Sequence, residues 1–227
     1  LHERFNGKAK VHWLEDGTGD INLDFYPVLV TKLPPKRTAA QLMRELRLNI
    51  NTVTVPVARF APYSQRYFAK HKPDGSTWLS NDVTDAVVSI EIGMENKADL
   101  VGAALENASV LATDTGDDTW IFSAIHTPKD LGHPISGNRA FMYEELDSGV
   151  YYFTLGADRA TKPMDKFLTV LAGFKAADQL WLRFQKKVVE YVTSLGGKAE
   201  VVPRIWGQHD WTAVKAAVFG PSVPRLH

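Results

Sequence analysis

The sequence predicts an α+β domain in which an antiparallel β-sheet meander packs against a long C-terminal amphipathic helix, with additional shorter helices. Two observations carry that expectation. From Ala86 to Leu155, short runs rich in β-branched and aromatic residues are separated by turn residues, the pattern of hairpin-connected strands. From Ala176 to Leu195, the residues Leu180, Trp181, Phe184, Val188, Tyr191, Val192 and Leu195 recur at three- and four-residue steps, a stripe wide enough to cover a sheet. The chain has 227 residues, 44% of them hydrophobic, enough to bury a core without covalent staples. No internal repeat, low-complexity segment or linker divides it, so residues 1–227 read as a single globular domain.

The elements follow in order. Lys10 to Leu14 and Asp20 to Leu33 read as two strands around a turn at Asp16-Gly17-Thr18-Gly19, with Pro27 marking an edge or bulge. Pro34-Pro35 stops the second run. Thr38 and Gln41 then form a capping box that opens a helix with Leu42, Met43, Leu46 and Ile50 on one face. Between Thr52 and Ser80 periodicity fades, and Phe60, Tyr63, Tyr67, Phe68 and Trp78 suggest a long aromatic-rich excursion over the core.

Strands follow at Ala86 to Ile92, Ser109 to Thr113 and Thr119 to Ile125, the last two joined by a polar turn, Asp114 to Asp118. The clearest hairpin runs Arg139 to Leu146, turns at Asp147-Ser148-Gly149 and returns through Val150 to Leu155. Its aromatics fall on both alternation phases, so both faces should be covered. A helix from Met164 to Ala172, ended by Gly173, precedes the long one, which Gly196-Gly197 terminates. A short strand at Ala199 to Val202 and a helix from Asp210 to Phe219, with Asp210 as N-cap, lead to a loose tail from Pro221 to His227.

Composition narrows the function classes. Lys plus Arg equals Asp plus Glu at 26 each, and no basic run occurs, so nucleic acid is not an expected partner. The absence of cysteine removes disulfides, thiolate metal sites and thiol nucleophiles. No stretch approaches the roughly 20 apolar residues of a membrane-spanning helix, so a soluble chain is expected, with the compartment open between cytoplasmic and delivered or secreted. The opening Leu1-His2-Glu3-Arg4 has neither initiator Met nor apolar signal core, which suggests a piece of a larger polypeptide.

Polar residues are densest between His126 and Arg159. Hairpin geometry should return Gly156 to Arg159 beside Ser136 to Arg139, gathering Ser136, Asn138, Arg139, Asp158 and Arg159 at one end of the sheet, where His126 and His133 could join them. One reading is an anion or carbonyl site: Arg139 and Arg159 clamp a carboxylate or phosphate and His133 acts as acid or base. The other is architectural: Asp158 pairs with one Arg, Ser136 and Asn138 close a turn, and the histidines face solvent. His126, Asp130 and His133 make an acceptable ligand set for a transition ion, but their spacing matches no motif, so neither metal nor cofactor is expected. Ser136 lacks a nucleophile elbow, and the Gly-Asn-Arg segment lacks the lysine and spacing of a phosphate loop. The aromatic set Trp120, Phe122, Phe141, Tyr143, Tyr151, Phe153, Trp181 and Phe184 either lines a pocket for an apolar ligand or fills the core.

A strand meander, then Gly132-His133-Pro134-Ile135-Ser136-Gly137-Asn138-Arg139-Ala140-Phe141 and an aromatic return strand, then a long amphipathic helix, resembles the second half of START-like helix-grip domains over about Ala86 to Leu195. That resemblance implies an internal cavity for a lipid-like or aromatic ligand, sometimes with catalysis. The chain departs from the pattern by continuing from Ala199 to His227 beyond the long helix. The segments Arg47 to Asn51, His133 to Arg139 and Gly156 to Arg159 also resemble uncharacterised domains of large bacterial proteins, some of them delivered effectors.

Three functions follow as expectations. The first is a module binding a small apolar or lipid-like molecule between sheet and helix, with Trp120, Phe122, Ser136, Asn138, Phe141, Tyr143, Tyr151, Phe153 and Trp181 around it. The second is an enzymatic, toxin-like domain using His126, His133, Arg139, Asp158 and Arg159. The third is a structural or interaction domain, which should expose an apolar patch and lack a convergent polar cluster.

Overall fold

The computed structural model describes residues 7–54, 58–62, 77–92, 107–127, 133, 135–161 and 167–220. Within them, ten strands form one antiparallel sheet: β1 (Lys10–Val11), β2 (Thr18–Lys32), β3 (Ala58–Pro62), β4 (Val87–Ile92), β5 (Asn107–Gly116), β6 (Thr119–His126), β7 (Ile135–Leu146), β8 (Gly149–Ala160), β9 (Lys198–Val201) and β10 (Ile205–His209). The order is β10-β2-β8-β7-β6-β5-β4-β3, with β9 beside β10 along β2 and β1 against β6. The helices are α1 (Ala39–Leu48), α2 (Ile50–Thr54), α3 (Phe167–Ser194) and α4 (Trp211–Phe219).

The expected α+β class is what the chain adopts. Consecutive hairpins build β3 to β8, and the β5–β6 connection is two residues, Asp117 and Asp118, both at positive φ as a type I′ turn requires. One face of the sheet packs on α1, α2 and α3. There Val28, Val30, Val88, Val110, Trp120, Phe122, Phe141 and Tyr152 meet Leu42, Leu46, Ile50, Val53, Leu180, Trp181, Phe184, Val188 and Val192 in one cluster. The Thr38 capping box closes as expected, with Thr38 Oγ1 accepting from the Gln41 amide at 3.2 Å and Gln41 Oε1 from the Thr38 amide at 2.9 Å. Asp210 caps α4 by a single bond, its Oδ1 accepting from the Ala213 amide at 2.7 Å. The glycine pair after α3 completes a Schellman stop, in which Gly197 and Gly196 donate to the carbonyls of Val192 and Thr193.

Four expectations are corrected. The first two strands do not form a hairpin: a 3-10 turn at Leu14–Asp16 separates them, and β1 pairs with β6 instead. The stretch after Thr52 is no structureless excursion, because α2 and β3 occupy part of it and Phe60 and Trp78 are core residues stacked on Phe122. Tyr63, Tyr67 and Phe68 lie outside the described residues. Gly173 does not end a helix, since α3 is continuous over 28 residues; one glycine costs a helix only about 1 kcal/mol relative to alanine. Finally, β7 and β8 run past the expected hairpin bounds of Arg139 and Leu155, so residues 135–138 and 156–160, left outside those bounds as loop, are strand.

The residues beyond α3 extend the sheet. β9 and β10 both pair with β2, and Pro27 sits between their two registers. The Pro27 carbonyl faces that interruption, accepting from the Val202 amide, so its missing N–H falls outside the β2–β8 ladder. Buried Gln185 of α3 donates to the carbonyls of Pro27 and Val202, fastening this edge to the helix. Buried Arg47 of α1 bonds the carbonyls of Trp78 and Ser80. No helix among the described residues is long and apolar enough to cross a membrane.

Candidate functional site

The register across β2, β8 and β7 sets two rows side by side: Asp24 opposite Gly156, which faces Arg139, and Asn22 opposite Asp158, which faces Gly137. Alternation places these side chains on the face that carries Tyr26, Val28 and Phe141, the face covered by α3. Glycine is required in both rows. A Cβ on Gly156 would collide with the Arg139 guanidinium and stand 2.9 Å from Asp24 Oδ1; one on Gly137 would strike the Ala157 carbonyl and approach Asp158 Cβ to 2.9 Å. Arg139 thus reaches over Gly156 to Asp24, Nη2 to Oδ2 at 2.7 Å.

Arg139 also approaches Asp158 at 3.9 Å, donates to Thr154 Oγ1 at 3.4 Å and lies 4.3 Å from the Trp181 ring centre. Asn22 donates to the same Asp24 Oδ2 at 3.1 Å. Two carboxylates therefore flank one guanidinium in a buried setting, with Asn22, Asp24 and Asp158 all under a tenth exposed. Burial, reinforced by the Asp24 charge and opposed by Arg139, pushes the Asp158 carboxyl up to about 7. Two acceptors in the group, Asp24 Oδ1 and Asn22 Oδ1, are buried with no hydrogen-bond partner. Beside them, the Tyr26 hydroxyl donates to Asp178 of α3 at 2.9 Å, and Arg204 pairs with Asp178 at 2.6 Å. Burial raises the Tyr26 phenol far above its ordinary range.

Arg159 belongs to the other face. Its register partner is Ser136, and it is held by the carbonyls of Gly19 and Leu14 at 2.8–3.0 Å while lying 4.8 Å from the Trp211 ring. Ser136 is buried with an unpartnered hydroxyl, and Asn138 is exposed. The five residues expected to converge do share one end of the sheet, but the pleat divides them, Arg139 and Asp158 toward α3 and Ser136, Asn138 and Arg159 away from it. No clamp of Arg139 with Arg159 is formed.

The histidines gather near β1. His126 lies 6.0 Å from His12, ring centre to ring centre, and buried His133 accepts from the Ile135 amide through Nδ1. Burial, with the neighbouring His12, holds His133 neutral down to about 4, well below neutral pH. Burial likewise lowers His12, whose two ring nitrogens are buried without partners. Among the described residues no group of three or more His, Asp or Glu could hold a metal, and Asp130 lies outside them.

The aromatic set divides in the same way. Trp120 stacks on Phe141 at 4.7 Å, Phe122 meets both edge-on, and Phe141 contacts Trp181 and Phe184, all on the α3 side with Tyr143. Tyr151 and Phe153 face away, Phe153 against Phe25 at 5.1 Å. Sequence reasoning missed Asn22, Asp24, Tyr26, Gly137, Gly156 and Asp178. A signal was present: in Ile21-Asn22-Leu23-Asp24-Phe25-Tyr26-Pro27-Val28, the polar residues fall on the phase that carries Val28 and Val30, putting polar groups on a core face.

No family model matches the chain, and no curated protein matches it by sequence. Solved structures do resemble it. The di-domain ARO/CYC StfQ from the steffimycin biosynthetic pathway superimposes with a TM-score of 0.50 at 8% identity over 81% of this chain and 54% of that one. The chain thus spans about half the length of that protein. The KanY protein (ms6282) has a TM-score of 0.42 at 11% identity over 75% of this chain and 99% of its own. Ara h 8.0201 has a TM-score of 0.42 at 11% identity over 76% and 99%. At 8% identity the StfQ likeness is one of fold alone.

Proposed function

We propose that this chain is a ligand-binding module of the helix-grip kind, taking a small apolar molecule between sheet and α3 with the polar end of the ligand held at Asn22, Asp24, Arg139 and Asp158. The observation that carries the reading is the pair of buried carboxylates around one guanidinium, with two acceptor oxygens left unpartnered on the helix-facing side. Buried charge of this kind is weak evidence for stability, and a carboxyl shifted by burial beside a specific charged partner marks a candidate site. Trp181, Phe141, Phe122 and Trp120, packed in the core beside these groups, would meet the apolar body of the ligand, with Tyr143 next to them. Ser136, Asn138, Tyr151 and Phe153, on the opposite face, are not part of this proposed site. The test is native mass spectrometry of the purified chain combined with titration of the neutral dye Nile red, read by dye and tryptophan emission. A retained small mass or saturable dye binding is expected; neither a retained mass nor dye binding would sink the reading.

A second reading, an enzymatic domain, has one observation in its favour: a buried carboxyl brought to about 7 beside an arginine is suited to proton transfer at neutral pH. Arg139 and Asp158 would carry it, with Asp158 as acid or base and Arg139 holding developing negative charge. His133, kept neutral by burial, and Arg159 and His126 would lie outside the reacting centre. Incubating any captured ligand with wild type and Asp158→Asn, followed by mass spectrometry, tests this: conversion by wild type alone supports it, and no conversion by either removes it.

A further inference from the structure

Building on the ligand-binding reading, we propose that the polar end of the ligand is a protonated amine on an apolar body, not a carboxylate or phosphate. The argument is one of charge and of unused hydrogen-bonding capacity. An anion would need a cation free to receive it, and the arginines near the site among the described residues are already engaged. Arg139 is engaged by Asp24 Oδ2 at 2.7 Å, by Thr154 Oγ1 at 3.4 Å and by the face of Trp181. Arg204 is taken by Asp178, and Arg159 is on the other face with the Gly19 and Leu14 carbonyls. An incoming carboxylate would instead meet Asp24 and Asp158 in a buried setting, where like charges repel strongly.

What the site lacks, among the described residues, is a donor for two of its acceptors. Asp24 Oδ1 and Asn22 Oδ1 are buried acceptors without partners, on adjacent rows of one strand. Leaving a buried acceptor unmet forfeits its hydration without a replacement. A hydroxyl has a single hydrogen and answers one of them. An ammonium has several hydrogens and one positive charge, so it can meet both oxygens and balance the second carboxylate. The absent Cβ of Gly156 gives the Arg139 guanidinium its place over the strand, so Arg139 holds Asp24 by Oδ2 and leaves Oδ1 without a donor. The titratable and charged groups around Asp158 among the described residues are Asp24 from β2, Arg139 from β7, and the Tyr26–Asp178–Arg204 group beside α3. An ammonium would therefore draw the proton off Asp158, and its affinity should rise from pH 6 to pH 8.

The experiment compares 2-phenylethylamine, 2-phenylethanol and phenylacetate, three probes of similar size, by protein-observed NMR and tryptophan emission at pH 8. The amine should bind at least about tenfold more tightly than the acid and more tightly than the alcohol. Asp24→Asn should weaken the amine about tenfold while changing the alcohol less than about twofold. Should Asp24→Asn not fold, Asp158→Asn provides the same contrast, and the wild-type ranking stands without any variant. An acid that binds as well as the amine, an amine no better than the alcohol, or variants without effect overturn the proposal. Nile red separates the two levels: dye binding without amine preference removes only the amine, whereas no binding of dye or probes removes the ligand-binding reading as well.

Discussion

Arg139 Nη2 and Asp24 Oδ2, of residues 115 positions apart in the chain, stand 2.7 Å apart across a glycine of the strand between theirs. The pair exists only because position 156 has no side chain. Gly156→Ala should therefore push the guanidinium off Asp24 and cost about 1–3 kcal/mol, measured by urea denaturation. An unchanged midpoint would mean that Arg139 has another route to its partner.

Removing the guanidinium alone leaves Asp24 and Asp158 buried without a cation. Arg139→Leu is expected to cost about 3–5 kcal/mol. Combined with Asp24→Asn the loss should shrink, because the carboxylate stranded beside the introduced leucine is then gone. The double-mutant cycle is the measurement, and strict additivity would show that the two residues do not act on each other.

Asp158 and His133 tilt the pH profile in opposite directions. The folded Asp158 keeps its proton up to about 7, whereas the unfolded chain releases it near 3.8, so this group lowers stability as pH rises through that window. Asp158→Asn should gain on wild type between pH 5 and pH 8. His133 binds its proton only near 4 when folded and near 6.5 when unfolded, so its contribution is present above 6.5 and is lost as pH falls toward 4. The stability of His133→Gln relative to wild type should therefore rise on acidification. Denaturation midpoints of both variants from pH 4 to pH 8 check the two signs.

The two faces of the β7–β8 hairpin should respond unequally. Phe141→Ala empties a fully buried position stacked on Trp120 and should cost about 3–5 kcal/mol. Phe153→Ala removes a half-buried ring that meets Phe25 on the other face and should cost about 1 kcal/mol. Equal losses in thermal or chemical denaturation would contradict the assignment of faces.

Much of the fold was legible because its signals are local. The Thr38–Gln41 box, the Gly196-Gly197 stop and the stripe of α3 each depend on neighbours in sequence, and each formed as expected. The site was only half legible. The hairpin turn at Asp147-Ser148 fixes Leu146 opposite Gly149, and counting back along both strands already pairs Arg139 with Gly156 and Ser136 with Arg159, on opposite faces. Treating those residues as loop discarded that parity. Asn22 and Asp24 were out of reach for a different reason: no local rule pairs β2 with β8, and β1, the nearer candidate, went to β6.

The pairing of β2 with β8 also governs how the chain reaches its native state. β3 to β8 follow one another through hairpins among the strands, so most of the sheet can assemble from neighbours at small entropic cost. β2 precedes that meander in sequence yet docks on its last strand, with Thr18 and Ala160 142 positions apart. Loop-closure cost therefore predicts that it joins after β8 has formed an edge to receive it, with β9 and β10, which attach to β2, following. The buried carboxylates are brought together by that same pairing, so the polar end of the proposed site depends on the closing of the sheet.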